Sequence, residues 1–309
     1  MRAEPMRFAV LMDSARRTYT PAGMRLADAR SRTWAARSAS PYADAVHQVH
    51  RTIGQPGAYL LNYSYEWGCT TGAADHPEYG PTLLRTLDWP LDGLGRALIA
   101  VKQHGSTGRY LSITWPGFAG VLTGIAPGRF AAAINQPPLP YPGWGKAVGW
   151  TAARVKVGRS AAMPPSHLLR LAFDTCRDFG EAVVLIRHTP VCLPAIFTLA
   201  GTKPGEAAVV ERTETGAFEP AAPAAANHWA ASPGPRGRPR NISSLPRRAA
   251  MAKLIEGGVD WSFQWLCPPI LQPDTRVAAM ACPASGRVII QGWEKSGPAT
   301  AVLDLSLAA

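Results

Sequence analysis

Three side chains in the first third of the chain have the types and spacing to act together. Cys69 lies in the small, polar run Gly68-Cys69-Thr70-Thr71-Gly72, and Arg85 and Asp88 follow in the segment "LLRTLDWP". A cysteine attacks a carbonyl carbon as its thiolate, and a neighbouring guanidinium favours that form. An arginine and an aspartate three apart in an otherwise apolar, strand-like run are costly to bury unless they pair with each other or serve a reactive group. The competing reading of Cys69 is a small buried hydrophobe, the commonest fate of a lone cysteine. Its small and polar neighbours weigh against that.

The elements that must position these residues are legible from texture. "PYADAVHQVHRTIG" (Pro41–Gly54) predicts a helix, with proline at its start, glycine at its end, and Ala45, Val46, Val49 and Ile53 at helical spacing. Short apolar runs then follow at Ala97–Gln103, Arg109–Trp115, Gly120–Ile125 and Arg129–Asn135. Glycine-bearing turns separate them, which predicts consecutive antiparallel strands. Helical texture occupies Ser166–Cys176 and Asp178–Thr189, and strands resume at Ala195–Gly201 and Glu206–Thr213. Leu245–Gly258 predicts a helix with proline near its start and glycine past its end. "TRVAAMACP", "GRVIIQGW" and "TAVLDLSL" read as closing strands. Grouped strands and grouped helices imply an α+β fold of antiparallel sheets covered by helices, and not an alternating parallel arrangement.

Composition narrows the function classes. The chain has 309 residues, 47% of them hydrophobic and 17% charged, which supports a sizeable core and argues against global disorder. The net charge of +11 admits nucleic acid, an anionic surface or an acidic substrate as partner. The basic residues are scattered, however, and the one dense stretch, Gly234–Arg248, reads as a solvated loop. Five cysteines (Cys69, Cys176, Cys192, Cys267 and Cys282) at irregular spacing do not form a disulfide framework, and no Cys-x-x-Cys or zinc-like His/Cys cluster is present. The sequence therefore calls for no metal or cofactor. The apolar run Phe8–Met12 is too short for a signal peptide, and no run approaches the ~18 apolar residues of a membrane span. The expectation is a cytoplasmic protein without a membrane span.

"GCTTG…LLRTLDWP" resembles the nucleophile region of the N-terminal-nucleophile (Ntn) cysteine hydrolases, the superfamily of choloylglycine hydrolases, penicillin V acylases, acid ceramidase and N-acylethanolamine acid amidase. The spacing of Cys69, Arg85 and Asp88 is similar to that family's pattern, with Thr86 where an asparagine is usual. "NYSYE" (Asn62–Glu66) is similar to the segment before the nucleophile in the acid ceramidase branch, and Gly117–Asn135 resembles that branch's glycine-rich stretch. Asn135 and Asn227, the latter in "NHW", match the family's two catalytic asparagines. At the position after Asn135 the branch usually carries glutamate; here it is Gln136, followed by Pro137 and Pro138, which suggests a reshaped substrate mouth.

The resemblance implies a four-layer αββα sandwich of two antiparallel sheets flanked by helices. It implies residues 1–68 as a propeptide-like segment that is cut but can stay attached, and 69–309 as the catalytic domain. It further implies catalysis by Cys69, whose thiol attacks the carbonyl of a small linear N-acyl amide and whose freed α-amine is the base. Asp88 would hold the amine, Arg85 would lie beside the thiol, and Asn135 and Asn227 would donate to the tetrahedral oxyanion. An isopenicillin-N-type acyltransferase is the alternative within that chemistry; a degenerate Ntn-fold protein binding nucleic acid or an anionic surface is the alternative outside it. The leading reading has no nucleic-acid partner and is compatible with a homo-oligomer. Of the remaining candidates, His76 could form a Cys/His dyad, and His228 reads as a wall residue. Cys176, Cys267 and Cys282 read as structural, and Trp115, Trp144, Trp150 and Trp229 either line an acyl pocket or belong to the core.

Overall fold

In a computed structural model of the chain, the described residues are 5–18, 20–63, 65, 67–138, 155, 157–234 and 243–308. Four helices come first: α1 (Pro5–Thr18), α2 (Pro21–Arg37), α3 (Ala43–Ile53) and α4 (Ala58–Tyr63). Of these only α3 was legible from hydrophobic spacing. In α2 the buried stripe is Met24, Asp28, Ser31, Trp34 and Ala35. Its helical spacing is carried partly by polar residues, so the apolar period is faint. A proline in the first turn and a cap from Thr20 Oγ1 to the Gly23 amide at 3.2 Å start this helix.

Two seven-stranded antiparallel sheets follow. The first contains β1 (Gly68–His76), β2 (Gly80–Asp88), β10 (Ala224–Ala225), β11 (Thr275–Cys282), β12 (Arg287–Glu294), β13 (Gly297–Pro298) and β14 (Leu303–Ser306). Its order is β10-β1-β2-β11-β12-β13, with β14 also pairing β12. The second runs β3-β4-β5-β6-β7-β8-β9 and is made of β3 (Ile99–Gly105), β4 (Gly108–Thr114), β5 (Thr123–Ala126), β6 (Phe130–Asn135), β7 (Ala195–Ala200), β8 (Ala207–Arg212) and β9 (Ala217–Phe218). Helices α5 (Pro165–Thr175) and α6 (Phe179–His188) cover the second sheet, burying Leu168, Leu169, Phe173 and Ile186 against Phe130, Ile134 and Phe197. Helix α7 (Ser244–Gly257) covers the first sheet, with Met251 packed on Leu84, Ala278 and Met280. The layers are thus helix, sheet, sheet, helix, as the sequence reading expected.

Between the sheets lies the largest apolar cluster, and Cys69 belongs to it. The N-terminal helices extend this core: Leu11, Trp34, Val46, Tyr59 and Tyr63 join Trp67, Trp89 and Trp115. An aromatic ladder links them, Trp34 to Tyr65 (5.9 Å between ring centroids), Tyr65 to Trp67 (5.1 Å), Trp67 to Trp89 (5.4 Å) and Trp89 to Trp115 (5.8 Å). The residues leading into Cys69 are therefore clamped in aromatic packing, a geometry that adds roughly 0.5–1.5 kcal/mol per pair beyond area burial.

The segment "NYSYE" is not a strand where it is described. Asn62 and Tyr63 close α4, and Tyr65 donates to or accepts from Ser166 Oγ at 2.9 Å; Ser64 and Glu66 lie outside the described residues. The reason is local. Asn62 Nδ2 donates to the Ala58 and Gly117 carbonyls, both at 2.8 Å, and its Oδ1 accepts from the Ala119 amide at 2.6 Å. A side chain that satisfies three backbone groups fixes this helix end against the loop before β5. Among the described residues no helix is long and apolar enough to cross a membrane.

Candidate active site

Cys69 is the second residue of β1 and is fully buried between the sheets. The antiparallel register of β1 with β2 sets Gly68 opposite Asp88, Cys69 opposite Leu87 and Thr71 opposite Arg85. Residues 85 and 88 are three apart in a strand, so their side chains point to opposite faces. Arg85 reaches between the sheets: its Nη1 donates to the Ile134 carbonyl at 2.9 Å and to Asn135 Oδ1 at 2.7 Å. The Cys69 thiol shares that carbonyl, with Sγ to Ile134 O at 3.6 Å. Asn135, at the end of β6, donates through Nδ2 to Thr71 Oγ1 at 3.0 Å and to the Ala226 carbonyl at 3.2 Å.

Asn227 follows β10 and binds the backbone of Cys69. The Cys69 amide donates to Asn227 Oδ1 at 2.9 Å, and Asn227 Nδ2 donates to the Gln136 carbonyl at 2.7 Å. Ser244 Oγ accepts from the Asn227 amide at 2.8 Å and lies 2.7 Å from His228 Nδ1, which ties this loop to the start of α7. All five residues singled out from the sequence are buried; Cys69, Arg85, Asn135 and Asn227 gather around β1 and the end of β6, and Asp88, on the opposite face of β2, joins them through Arg247.

The sequence reading missed the sixth residue. Arg247 was assigned to a solvated basic stretch; that assignment is wrong, because Arg247 is fully buried. Its Nη1 donates to the Cys69 carbonyl (2.6 Å), to Thr70 Oγ1 (2.8 Å) and to Asp88 Oδ2 (3.4 Å), and its Nη2 donates to Asn227 Oδ1 (2.7 Å). Asp88 Oδ1 accepts from Thr275 Oγ1 at 2.8 Å. Gly72 lets α7 come this close, since a Cβ there would stand 2.8 Å from Met251 Cγ. Ser244, Arg247 and Met251 form the buried stripe of α7 at helical spacing, but only Met251 is apolar, so no apolar period marks it in the sequence. Residues 235–242, the rest of the basic stretch, lie outside the described residues.

Burial dominates the electrostatics. It pushes the Cys69 thiol up to about 11, against the opposing pull of the Arg85 and Arg247 guanidiniums. The expectation that Arg85 would leave a lowered thiol is therefore corrected for the uncut chain: the guanidinium acts in that direction, and desolvation outweighs it. Burial likewise raises Asp88, opposed chiefly by Arg247, and lowers Arg85 and Arg247. We expect the Cys69 thiol of the uncut protein to resist iodoacetamide at pH 7.5, while Cys267, exposed, is alkylated first. Peptide mapping against pH checks this; Cys69 labelling as fast as Cys267 at pH 7.5 would contradict the closed site.

Other candidates separate from the cluster. His76 is the last residue of β1, seven positions along the strand from Cys69, and its Nδ1 accepts from the Glu78 and Tyr79 amides. It does not form a dyad with the thiol. Cys176 and Cys282 are buried, as structural residues should be, whereas Cys267 is exposed and not a core residue. Trp115 is buried and donates to the Leu94 carbonyl at 2.8 Å; Trp229 packs against Ile196, Val209 and Ala225. Trp144 and Trp150 lie outside the described residues. Among the described residues no group of three or more His, Cys, Asp or Glu could hold a metal ion.

No family model matches the chain. It is 26% identical over 166 residues to the N-acylethanolamine-hydrolyzing acid amidase of Cavia porcellus, a match covering 51% of this chain and 44% of that protein. To the acid ceramidase of Pan troglodytes it is 29% identical over 110 residues, covering 36% and 27%. A solved structure of the Caenorhabditis elegans N-acylethanolamine-hydrolyzing acid amidase ortholog superposes with a TM-score of 0.53 at 20% identity, covering 70% of this chain and 93% of that one. The chain is thus similar to Ntn cysteine hydrolases in sequence and in fold. It spans less than half the length of these curated relatives. The Ntn sandwich explains why the cluster is assembled from so many separate segments: β1 and β2 of one sheet, the end of β6 in the other, the loop after β10, and α7 all meet at the first residues of β1.

Proposed function

We propose that the chain is a cysteine amidohydrolase that cleaves the C–N bond of a linear N-acyl amide through a Cys69 thioester, after cleavage of its own Gly68–Cys69 bond. One observation carries this reading: the backbone nitrogen of Cys69, the atom that would become the catalytic amine, is already held by Asn227 Oδ1 at 2.9 Å. Every buried backbone N–H needs an acceptor; here it is a side chain, Asn227, that Arg247 and the Gln136 carbonyl hold in place. The relatives' names, N-acylethanolamine-hydrolyzing acid amidase and acid ceramidase, support an N-acyl amide as the substrate class.

The steps follow from the groups present. The thiol attacks the Gly68 carbonyl, the Gly68–Cys69 C–N bond breaks, and water resolves the resulting ester-like bond to sulfur, leaving Cys69 with a free α-amine. That amine has an ordinary pKa of about 7.7–8.0 and accepts the thiol proton when substrate arrives. Asn227 keeps its hold on the nitrogen. The register of Asp88 opposite Gly68 and its bonds to Arg247 and Thr275 support a role for it in holding the new terminus. The segment 1–68 is the propeptide in this scheme, and its aromatic clamp retains it after the cut. The five free cysteines favour a reducing, cytoplasmic setting.

Intact mass and activity test the proposal together. Purified protein should resolve into a piece ending at Gly68 and a piece beginning at Cys69, and the processed form should release acid from an N-acyl amide. A chain that stays whole under all conditions and hydrolyses none of a graded series of N-acyl amides would overturn it.

A further inference from the structure

Asn135 belongs to a row that crosses the second sheet. It lies opposite Ile196 of β7, and Ile196 lies opposite Glu211 of β8. Residues directly opposite on neighbouring strands share a face. Glu211 is therefore on the face that turns Asn135 toward Thr71 of the first sheet, two strands away, or about 10 Å at the usual strand spacing. Both side chains are buried, and both hold the same loop. Asn135 Nδ2 donates to the carbonyl of Ala226, the residue before Asn227, at 3.2 Å. Glu211 accepts from three consecutive amides beyond Asn227: Oε1 from Ala230 at 2.6 Å, and Oε2 from Ala231 at 3.0 Å and Ser232 at 2.7 Å.

A carboxylate is a costly group to bury and is tolerated where charge-assisted hydrogen bonds satisfy it. These three go to a loop with little apolar anchorage of its own. Trp229 packs inward on Ile196, Val209 and Ala225, but Ala230 and Ala231 are exposed. Water would satisfy their amides as well as a side chain does, so Glu211 sets where this stretch lies. The Asn227 amide is tied to Ser244 Oγ on the side of α7 at 2.8 Å; Glu211 is the tie on the side of the second sheet. Between the two ties stands Asn227, whose Oδ1 accepts from the Cys69 backbone nitrogen at 2.9 Å.

We infer that Glu211 is a positioning residue for the Cys69 centre: by holding residues 230–232 onto β8 it sets Asn227 against the backbone nitrogen of Cys69. The inference rests on the amidohydrolase reading above, in which that nitrogen becomes the catalytic amine. Glu211 acts through the loop, and a displacement of about 1 Å from a remote change can cost roughly 10²-fold in rate. The loop also bears on pH. An ammonium donates to Asn227 Oδ1 more strongly than a neutral amine does, so a well-placed Asn227 favours the charged form. A loosened loop lowers the amine's pKa and moves the acid limb of kcat/KM to lower pH. The other titratable or charged groups around that nitrogen are Asp88 and Arg85 of β2, Arg247 of α7, the Cys69 thiol and, on the loop itself, His228.

Two variants separate geometry from charge. Glu211→Asp keeps the charge and withdraws the oxygens by one methylene; Glu211→Gln keeps the reach and removes the charge. They are compared as processed protein, across a series of N-acyl amides of graded chain length, on the one that wild type turns over fastest. Both should lower kcat about tenfold with KM within about twofold, and both should move the acid limb to lower pH. In an Asn227→Ala background neither should cost more than about twofold further. An unaltered kcat, a limb that moves in Glu211→Gln alone, or the same loss with and without Asn227 would overturn the inference; the second would show a distant charge effect, and the third a purely structural role. Should neither variant fold, Ser232→Pro decides, since it removes one of the three donors from the loop and leaves β8 intact: kcat must fall, and an unaltered kcat overturns the inference. A wild type that turns over none of the series would instead sink the amidohydrolase reading itself.

Discussion

Cys69→Ala is expected to yield a folded chain that is never cut and does not hydrolyse amides. Two functions converge on this residue in the proposed scheme, so one substitution removes both. The loss in turnover should be on the order of 10⁴-fold or more, the scale seen when a nucleophile is deleted from a site whose other groups remain. Folding should suffer little. The side chain lost is small, and its burial contributes roughly 1 kcal/mol, comparable to one methylene-sized group. Cys69→Ser separates the two functions. A hydroxyl can attack the Gly68 carbonyl, so slow processing over hours to days is expected, but amide turnover should stay far below wild type. Intact mass after timed incubation and a circular dichroism melt check these outcomes. Normal processing of Cys69→Ala would place the cut, if any, under the control of another residue and would remove Cys69 from the scheme.

Much of the site was legible because its members sit in stretches whose residue types conflict with plain packing. Arg85 and Asp88 interrupt an apolar strand, and Asn135 ends one; each needs a partner, and the structure supplies one for each. The same logic failed for Arg247 because the conflict was hidden. "LPRRAAMAKLIEGG" is a helix without a distinct apolar face, and Arg247 sits next to Arg248 at the end of a basic run, so it reads as solvated. Only the close approach of α7 to β1, which Gly72 permits, turns one of two adjacent arginines inward. Arg248 donates to the Ala224 carbonyl at 3.0 Å and remains partly exposed. Which of the pair was buried depended on helix phase, and the buried stripe of α7 fixes it.

The N-terminal helices were harder to read for a related reason. A stripe such as Met24, Asp28, Ser31 and Trp34 is buried, but half of it is polar. Asp28 is tolerated there because its Oδ1 accepts from the Leu60 amide at 3.0 Å. Hydrophobic periodicity detects helices that pack on oil-like surfaces. It is nearly blind to helices that pack through hydrogen bonds to another segment's backbone. The longer apolar strands had no such difficulty, because interior faces toward the other sheet and toward covering helices make near-continuous apolar runs such as "FAAAIN" and "TRVAAMAC", whereas β1, opening on the small and polar Gly68-Cys69-Thr70-Thr71-Gly72, was not read as a strand.

Arg247→Met should be the most destabilising of the site substitutions, and its cost should depend on pH in a defined direction. Methionine roughly fills the volume of the arginine stem but removes the guanidinium that donates to Asp88 Oδ2 at 3.4 Å. Breaking a buried ion pair by removing one partner typically costs about 3–5 kcal/mol, because the remaining charge is left in a poor solvent. Burial already holds the Asp88 carboxyl above its ordinary value, and Arg247 is the chief opposing influence. Without Arg247 the carboxyl must rise further. A carboxyl whose folded pKa is raised favours the fold while it is protonated, and that contribution is lost as pH climbs through the folded pKa. The variant's deficit relative to wild type should therefore be smallest at acid pH, where Asp88 is neutral in both proteins, and should widen as pH rises to neutrality. Asp88→Asn in the Arg247→Met background removes the stranded charge, and should recover much of the loss near pH 7 while gaining little at acid pH. Urea unfolding of the single and double variants, each compared with wild type at pH 4 and pH 7.5, reads this directly. A deficit that is the same at both pH values would mean that Arg247 supports the site by packing and by its bonds to Cys69 O, Thr70 and Asn227, with the charge of Asp88 contributing nothing to the difference.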